Sequence, residues 1–386
     1  MSVRAKIIVV DDEPHIESLI KQVFRKKIRE GDYEFIFAAN GIDALAKLDQ
    51  HGDVDLALSD INMPEMDGLS LLEKLIERNP VLKVVMISAY GDMQNVRTAM
   101  NRGAFDFITK PIVPADLEAT VEKTLRYVAR LKSAIKLEQE LSIARTVQLG
   151  LLPNGCMSNN DFEVSGFCEP AQSIGGDYYD IIQLSHAKFG IAVADASGKG
   201  VSAAIYMTLI KGLLHANATV EHSPKEVLIK INTLLHRIIK RGSFVSMIYA
   251  VMDTSTGEFS YARAGHLPPI LVSEEDDVRQ VPLRAKGMAL GLANSAAFAF
   301  TIDEASYTLK HGDALVLYTD GFIEARNPRG EEYGMERLQQ AAFVHCLNST
   351  ATDMVRAIVN DVKAFAGNAP QHDDMAMVAI KCRTQR

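Results

Sequence analysis

Four acidic turns in the second half of the chain have the residue types a hard divalent cation requires. The stretch Phe189 to Gly200 reads F-G-I-A-V-A-D-A-S-G-K-G. A run of apolar residues delivers Asp195 at the end of a strand, and glycines then let the backbone turn before a helical pattern resumes at Val201. Gly175-Gly176-Asp177, Tyr318-Thr319-Asp320-Gly321 and His372-Asp373-Asp374 are its acidic companions. Carboxylates converging from several elements, with a neighbouring peptide carbonyl, can hold two Mg²⁺ or Mn²⁺ ions for in-line attack on phosphorus. The string A-S-G-K-G fails as a nucleotide loop. G-x-x-x-x-G-K-[ST] needs Gly at Val193 and Ser or Thr at Gly200. His266 is read either as a general acid or as a residue shaping the turn before Pro268-Pro269. Lys199 is read either as an attractor of substrate phosphate or as a solvent-facing lysine.

The first third carries a second constellation. Asp11 and Asp12 follow the strand Lys6–Val10, Asp60 follows Leu56–Ser59, Ser88 closes Val84–Ser88 and Lys110 follows Phe105–Thr109. Three converging carboxylates repel one another unless a divalent cation sits among them. A lysine and a hydroxyl beside them can hold the oxygens of a phosphoryl group taken up by one aspartate.

The elements that place these residues alternate. Helical patterns at His15–Ile28, Gly41–Asp49, Leu69–Arg78 and Asn95–Arg102 separate short apolar strands, Glu34–Ala38 among them. This predicts a doubly wound parallel sheet with its crevice at the carboxyl ends of the strands. From Ala115 the helical pattern runs on without Pro or Gly to Gly150. Val121, Leu125, Val128, Leu131 and Ile135 form one stripe. Ala134, Leu137, Leu141, Ala144 and Leu151 form a second, with Gln148 inside it. The stripes are offset near Lys132–Lys136, as in a dimeric coiled coil with a discontinuity; the alternative is a helix lying on its own domain.

Beyond Phe162 the rhythm changes. Strands are expected at Phe162–Cys168, Phe189–Ala194, Val245–Asp253, Glu258–Ala264, Ile270–Ser273, Phe298–Ile302, Ala314–Tyr318 and Met375–Lys381. Helices are expected at Val201–Ala218, Pro224–Lys240, Met335–His345 and Ala351–Phe365. The pattern predicts two packed antiparallel sheets covered outside by helices, an α-β-β-α sandwich. Glu274–Asp277 reads as a solvated acidic loop. The domain boundaries follow as 1–128, a helical linker over 129–153, and 154–386.

D-D-E, S-D-I-N-M-P-E-M-D-G, I-S-A-Y and T-K-P together resemble the receiver domains of two-component response regulators, over residues 4–128. The resemblance implies that Asp60 is the phosphoacceptor and that Asp11, Asp12 and the carbonyl of Asn62 bind Mg²⁺. It also implies that Lys110 and Ser88 hold the phosphoryl oxygens and that Lys110-Pro111 is cis. Phe107 stands where the family has its switch aromatic, or is a plain core residue. G-G-D-Y-Y-D, D-A-S-G-K-G-V-S-A-A, A-G-H-L-P-P, L-G-L, L-Y-T-D-G-F-I-E-A-R-N and H-D-D-M-A-M-V resemble the protein phosphatase 2C superfamily, in particular its bacterial sporulation-phosphatase branch. E-L-S-I-A-R-T-V-Q-L-G-L-L-P resembles the linker that precedes such domains. By that likeness Asp195 bridges two Mn²⁺ or Mg²⁺ ions and the Ala196 carbonyl binds one. Asp320 and Asp373 complete the set, Asp177 stands in or behind it, and Asp374 can replace Asp373. Many members have Gly at the position of Ala196.

The implied protein is a cytoplasmic response regulator, homodimeric through the linker helix. Its partners are a sensor histidine kinase or phosphotransfer protein, and the substrate is a phosphorylated anti-sigma-factor antagonist in a partner-switching circuit. The rival is a catalytically silent adaptor that binds a sigma-pathway protein when phosphorylated. Composition narrows the field further. A net charge of −8 argues against nucleic acid as partner. Four scattered cysteines give neither a zinc motif nor a disulfide framework. No apolar run reaches the ~18 residues of a membrane span, and the N-terminal sequence lacks a signal-peptide pattern.

Overall fold

The computed structural model describes residues 4–89, 93–153, 156–159, 161–273, 279–280, 285–346 and 349–383. The expected acidic loop Glu274–Asp277 lies outside them. The chain forms two compact units, Met1–Glu140 and Leu141–Arg386.

The first unit alternates strand and helix: β1 (Ala5–Val10), α1 (Pro14–Val23), α2 (Arg25–Glu30), β2 (Tyr33–Ala38), α3 (Gly41–His51), β3 (Leu56–Asp60), α4 (Gly68–Arg78), β4 (Lys83–Ala89), α5 (Met93–Asn101), β5 (Asp106–Lys110) and the start of α6 (Pro114–Leu151). The sheet is parallel throughout in the order β2-β1-β3-β4-β5. β3 is buried along its whole length, which explains its continuous apolar run. Asn40 and Asp67 cap α3 and α4 by accepting the Asp43 and Ser70 amides. The helix expected over His15–Ile28 is instead two, because Phe24 leaves helical geometry and buries its ring against Phe35 and Tyr33. The apolar period continues across that break, so the pattern did not reveal it.

α6 is one helix of 38 residues, ~57 Å at 1.5 Å per residue. Val121 and Val128 are buried in the first unit, and Lys132 pairs with Asp53 and Asp55 at 2.9 and 2.8 Å. Leu137 and Ile143 are 57% and 65% exposed. Farther along, Gln148 is buried within the second unit. The offset between the two stripes falls where the helix leaves the first unit's core and becomes exposed.

The second unit contains β6 (Met157–Ser158), β7 (Phe162–Glu169), β8 (Tyr178–Gln183), β9 (Lys188–Ala196), α7 (Val201–Asn217), α8 (Pro224–Ile238), β10 (Val245–Asp253), β11 (Glu258–Ala264), β12 (Ile270–Val272), β13 (Arg279–Gln280), α9 (Ser295–Thr301), β14 (Glu304–Thr308), β15 (Ala314–Tyr318), α10 (Gly334–Cys346), α11 (Ala351–Ala366) and β16 (Met375–Cys382). Two antiparallel sheets, β14-β11-β10-β9-β8 and β13-β12-β15-β16-β7-β6, face each other. Val193, Ile248, Tyr261, Leu317 and Val378 fill the space between them. α7 and α8 cover one outer face through Met207, Ile210, Ile231 and Leu235, and α10 and α11 cover the other through Leu338 and Ile358.

Two elements depart from expectation. The strand predicted at Phe298–Ile302 is the helix α9, capped by Asn294. Its alternating A-F-A-F misleads because Phe298 is fully buried while Phe300 is 92% exposed. The strand follows instead at β14. β8 has no counterpart among the expected strands; it pairs antiparallel with β9, Tyr178 opposite Ala194.

Candidate functional site

Each unit collects its acidic residues at the ends of strands. In the first, β1 ends at Asp11 and Asp12 and β3 at Asp60, and one carboxylate oxygen of each lies within 4.8 Å of the others. Lys110 follows from β5 and reaches all sides: its Nζ is 2.9 Å from Asp60, 3.1 Å from Asp11 and 2.8 Å from Glu13. Burial raises the Asp11 carboxyl, more than the Glu13 amide and Lys110 lower it. The ammonium of Lys110 is held above its usual range by these carboxylates, against its own partial burial. Ser88 is fully buried on β4 and its Oγ has no hydrogen-bond partner. Asn62 is exposed two residues past Asp60, and Phe107 is half-buried against the core. The Lys110–Pro111 peptide is cis. Glu13 belongs to this cluster although only its place in D-D-E hinted at it.

The second unit gathers Asp177, Asp195, Asp320, Asp373 and Asp374. Asp195 stands at the end of β9, Asp177 just before β8 and Asp320 in the turn after β15. Asp373 and Asp374 precede β16. Burial pushes the Asp195 carboxyl up to about 7, helped by Asp320, Asp373, Asp374 and Glu324. Burial also raises Asp177 and Asp320, with the neighbouring carboxylates adding to it. Carboxylates crowded in this way, Asp177 buried and the other four partly exposed, fit hard cations with oxygen ligands, and Asp11, Asp12 and Asp60 fit one as well.

The adjacent aspartates have different surroundings. Asp374 accepts the amides of Ala171 and Gly176 at 2.7 and 2.6 Å, which occupies both oxygens. Asp373 accepts the Asp374 amide and pairs with Lys199 at 2.9 Å. Lys199 also donates to the His372 carbonyl at 2.9 Å, so it bridges to the Asp373 turn rather than facing solvent freely. Asp177 accepts the Thr319 hydroxyl at 2.6 Å.

The Gly175-Gly176-Asp177 loop is fixed from several directions. The buried amide of Gln148 on α6 donates to the Gly175 carbonyl at 2.6 Å and accepts its N–H at 3.2 Å. A Cβ at Gly176 would lie 2.8 Å from that of Ala203 and 2.9 Å from the Ala196 carbonyl, so only glycine fits there. In the sequence the signal for Gln148 is its place as a polar residue inside an apolar stripe.

His266 is buried, with Nδ1 2.8 Å from the Ser246 hydroxyl. Burial lowers its pKa to about 3, with the nearby Arg263 adding to the effect. That shift favours the neutral imidazole near pH 7, and with it the reading of His266 as a residue shaping its turn.

A parallel-sheet receiver with an aspartate–lysine cluster, followed by a two-sheet sandwich with buried aspartates at its strand ends, defines a receiver-linked phosphatase of the protein phosphatase 2C type. Residues 185–383 match the family model for stage II sporulation protein E (SpoIIE), and residues 7–122 match the response regulator receiver domain. The chain belongs to the SpoIIE family and carries a receiver ahead of its phosphatase domain.

The chain is 27% identical over 280 residues to phosphoserine phosphatase RsbU of Bacillus subtilis, covering 72% of this chain and 79% of that protein. It is 35% identical over 122 residues to chemotaxis protein CheY of Listeria monocytogenes, covering 31% of this chain and 98% of CheY. The SiaA-PP2C domain of Pseudomonas aeruginosa shares the fold at a TM-score of 0.55 and 18% identity, over 66% of this chain and 99% of that one. Among the described residues no helix is long and apolar enough to cross a membrane.

Proposed function

We propose that phosphorylation of Asp60 by a histidine kinase or phosphotransfer protein controls hydrolysis of phosphoserine or phosphothreonine at the Asp195 centre. The substrate is a phosphorylated anti-sigma-factor antagonist, a reading supported by similarity to RsbU, named a phosphoserine phosphatase. The observation that carries the proposal is the crowding of carboxylates around Asp195, where Asp177, Asp195 and Asp320 are each raised by desolvation and by their neighbours. Crowding of this kind costs stability unless cations neutralise it, so the arrangement serves binding rather than folding.

In this reading Asp195, the Ala196 carbonyl, Asp320 and Asp373 hold two Mn²⁺ or Mg²⁺ ions, with Asp177 in or behind the set. Bound there, the ions supply Lewis acidity and charge for attack on phosphorus. Thr319 orients Asp177 by donating to it. Asp374, engaged by two backbone amides, holds the 171–176 loop rather than an ion. In the receiver Asp11, Asp12 and the Asn62 carbonyl hold Mg²⁺ beside Asp60. Lys110 neutralises the incoming phosphoryl oxygens, and the unpartnered Ser88 hydroxyl donates to one. The chain works in the cytoplasm as a homodimer through α6, whose Leu137 and Ile143 are exposed.

The test is Mn²⁺-dependent phosphate release from a serine-phosphorylated anti-sigma-factor antagonist, by wild type and Asp195→Asn, each with and without beryllofluoride. Release that needs Asp195 and changes with beryllofluoride is the expected result. A folded protein that binds Mn²⁺ but releases no phosphate in either state would instead be an adaptor.

A further inference from the structure

Beyond the metal centre, the second unit buries another charged cluster, on Asp180 of β8. Its side chain is 3% exposed. One oxygen, Oδ2, meets three partners: Lys211 Nζ at 2.7 Å, His215 Nε2 at 2.7 Å and the hydroxyl of Tyr178. The other oxygen accepts the Ile181 amide at 2.9 Å. Burial acts to raise this carboxyl, yet the bonds from Lys211, Tyr178 and His215 more than offset it, and the group stays below the usual carboxylate range. Asp180 is therefore a fixed anion, fully partnered, that the chemistry at Asp195 does not touch.

Its position in the chain gives the cluster a purpose. Asp180 lies three residues after Asp177 and on the strand that Asp177 leads into. Lys211 and His215 lie one turn apart on α7, which begins directly after the Asp195–Gly200 turn. Apart from the Tyr206 hydroxyl, which accepts the Lys240 amide at 3.3 Å, the α7 contact is apolar and partly small: Ala203, Ala204, Met207, Ile210 and Leu214. Apolar burial is non-directional and sets the axial position of a helix only loosely. A hydrogen-bonded ion pair is directional and sets it sharply. Ala203, at the other end of the same helix, packs against Gly176 with no room for a single added carbon. Lys211 is eight residues beyond Ala203, ~12 Å along a stiff helix. A shift of α7 at the pin is therefore felt at the Gly176 contact, beside the Ala196 carbonyl.

We infer that Asp180 is a positioning residue for the metal centre. Through Lys211 and His215 it fixes the register of α7 on β8, and with it the separation of the Asp195 turn from the Asp177 loop. The inference rests on the metal-dependent phosphatase reading and adds a determinant of ion affinity outside the ligand set.

The experiment is calorimetric titration of the full chain with Mn²⁺, with Asp195→Asn as the blank whose remaining receiver binding is subtracted. Asp180→Asn and Lys211→Met each weaken Asp195-dependent binding at least tenfold. Their double variant is no weaker than the weaker single, because both break one pin. Lys211→Arg, which keeps the charge, stays within threefold of wild type. His215→Ala removes a partner without stranding a charge and weakens binding about threefold. It decides the matter if Lys211→Met fails to fold by circular dichroism. Folded single variants with wild-type affinity, or losses that multiply in the double variant, overturn the inference. A wild type without Asp195-dependent Mn²⁺ binding removes the metal-centre reading and the inference with it.

Discussion

Replacing Gln148 with leucine tests how strongly the end of α6 controls the Asp177 loop. Leucine keeps most of the side-chain volume, so packing at this buried position survives while both hydrogen bonds to Gly175 are lost. A buried backbone donor or acceptor left without a partner costs ~1–3 kcal/mol. Two such groups, partly relieved by water as the loop moves, give ~2 kcal/mol against the docked loop, or ~30-fold in its population. Gly176, next in the chain, donates to Asp374, and Asp177 follows it, so undocking loosens two acidic segments together. The half-saturating Mn²⁺ concentration for phosphate release is expected to rise ~30-fold on this arithmetic, while beryllofluoride binding at Asp60 is unchanged. Gln148→Glu keeps an acceptor for the Gly175 N–H but sets a carboxylate oxygen against its carbonyl, and should also weaken the Mn²⁺ response. Half-saturation within threefold of wild type for both folded variants would falsify the coupling.

Other outcomes follow from the same geometry. Gly176→Ala places a Cβ 2.8 Å from Ala203 and 2.9 Å from the Ala196 carbonyl; Mn²⁺ affinity measured by titration should fall at least tenfold with the receiver unaffected. Ser88→Ala removes a hydroxyl that bonds nothing in this state. Its melting temperature should match wild type, while beryllofluoride affinity drops about tenfold, as loss of a charge-assisted donor implies. His266, lowered to about 3 by burial, should show no imidazole titration between pH 5 and 8 by NMR. Because its folded pKa lies below the unfolded value of ~6.5, its contribution to stability is complete above pH 6.5. That contribution declines by up to ~1.4 kcal/mol per pH unit as pH falls toward 3. Chemical denaturation of wild type and His266→Gln at pH 7 and pH 5 should therefore show the gap between them narrowing at the lower pH.

Much of this molecule follows from local sequence. Buried strands in the first unit read as continuous apolar runs, and Asp60, Ser88 and Lys110 fall at their carboxyl ends with Asp11 and Asp12 just past one. Chain order therefore placed Asp11, Asp12, Asp60, Ser88 and Lys110 together. In the second unit the acidic turns around Asp177, Asp195, Asp320 and Asp373 were legible for the same reason: each borders a strand, and at Asp177 and Asp320 a glycine stands beside the aspartate. Partnerships between distant segments were not legible. Asp373 and Asp374 are adjacent and identical in type, and distant partners distinguish them: the amides of Ala171 and Gly176 on Asp374, and Lys199 on Asp373. His266 has a motif suited to proton transfer, but the packing around it removes the charge. Phe298 and Phe300 alternate as a strand would, and a helix results because one finds a core while the other faces solvent. Periodicity records which faces are apolar; what each face meets depends on segments that the chain brings back from far away.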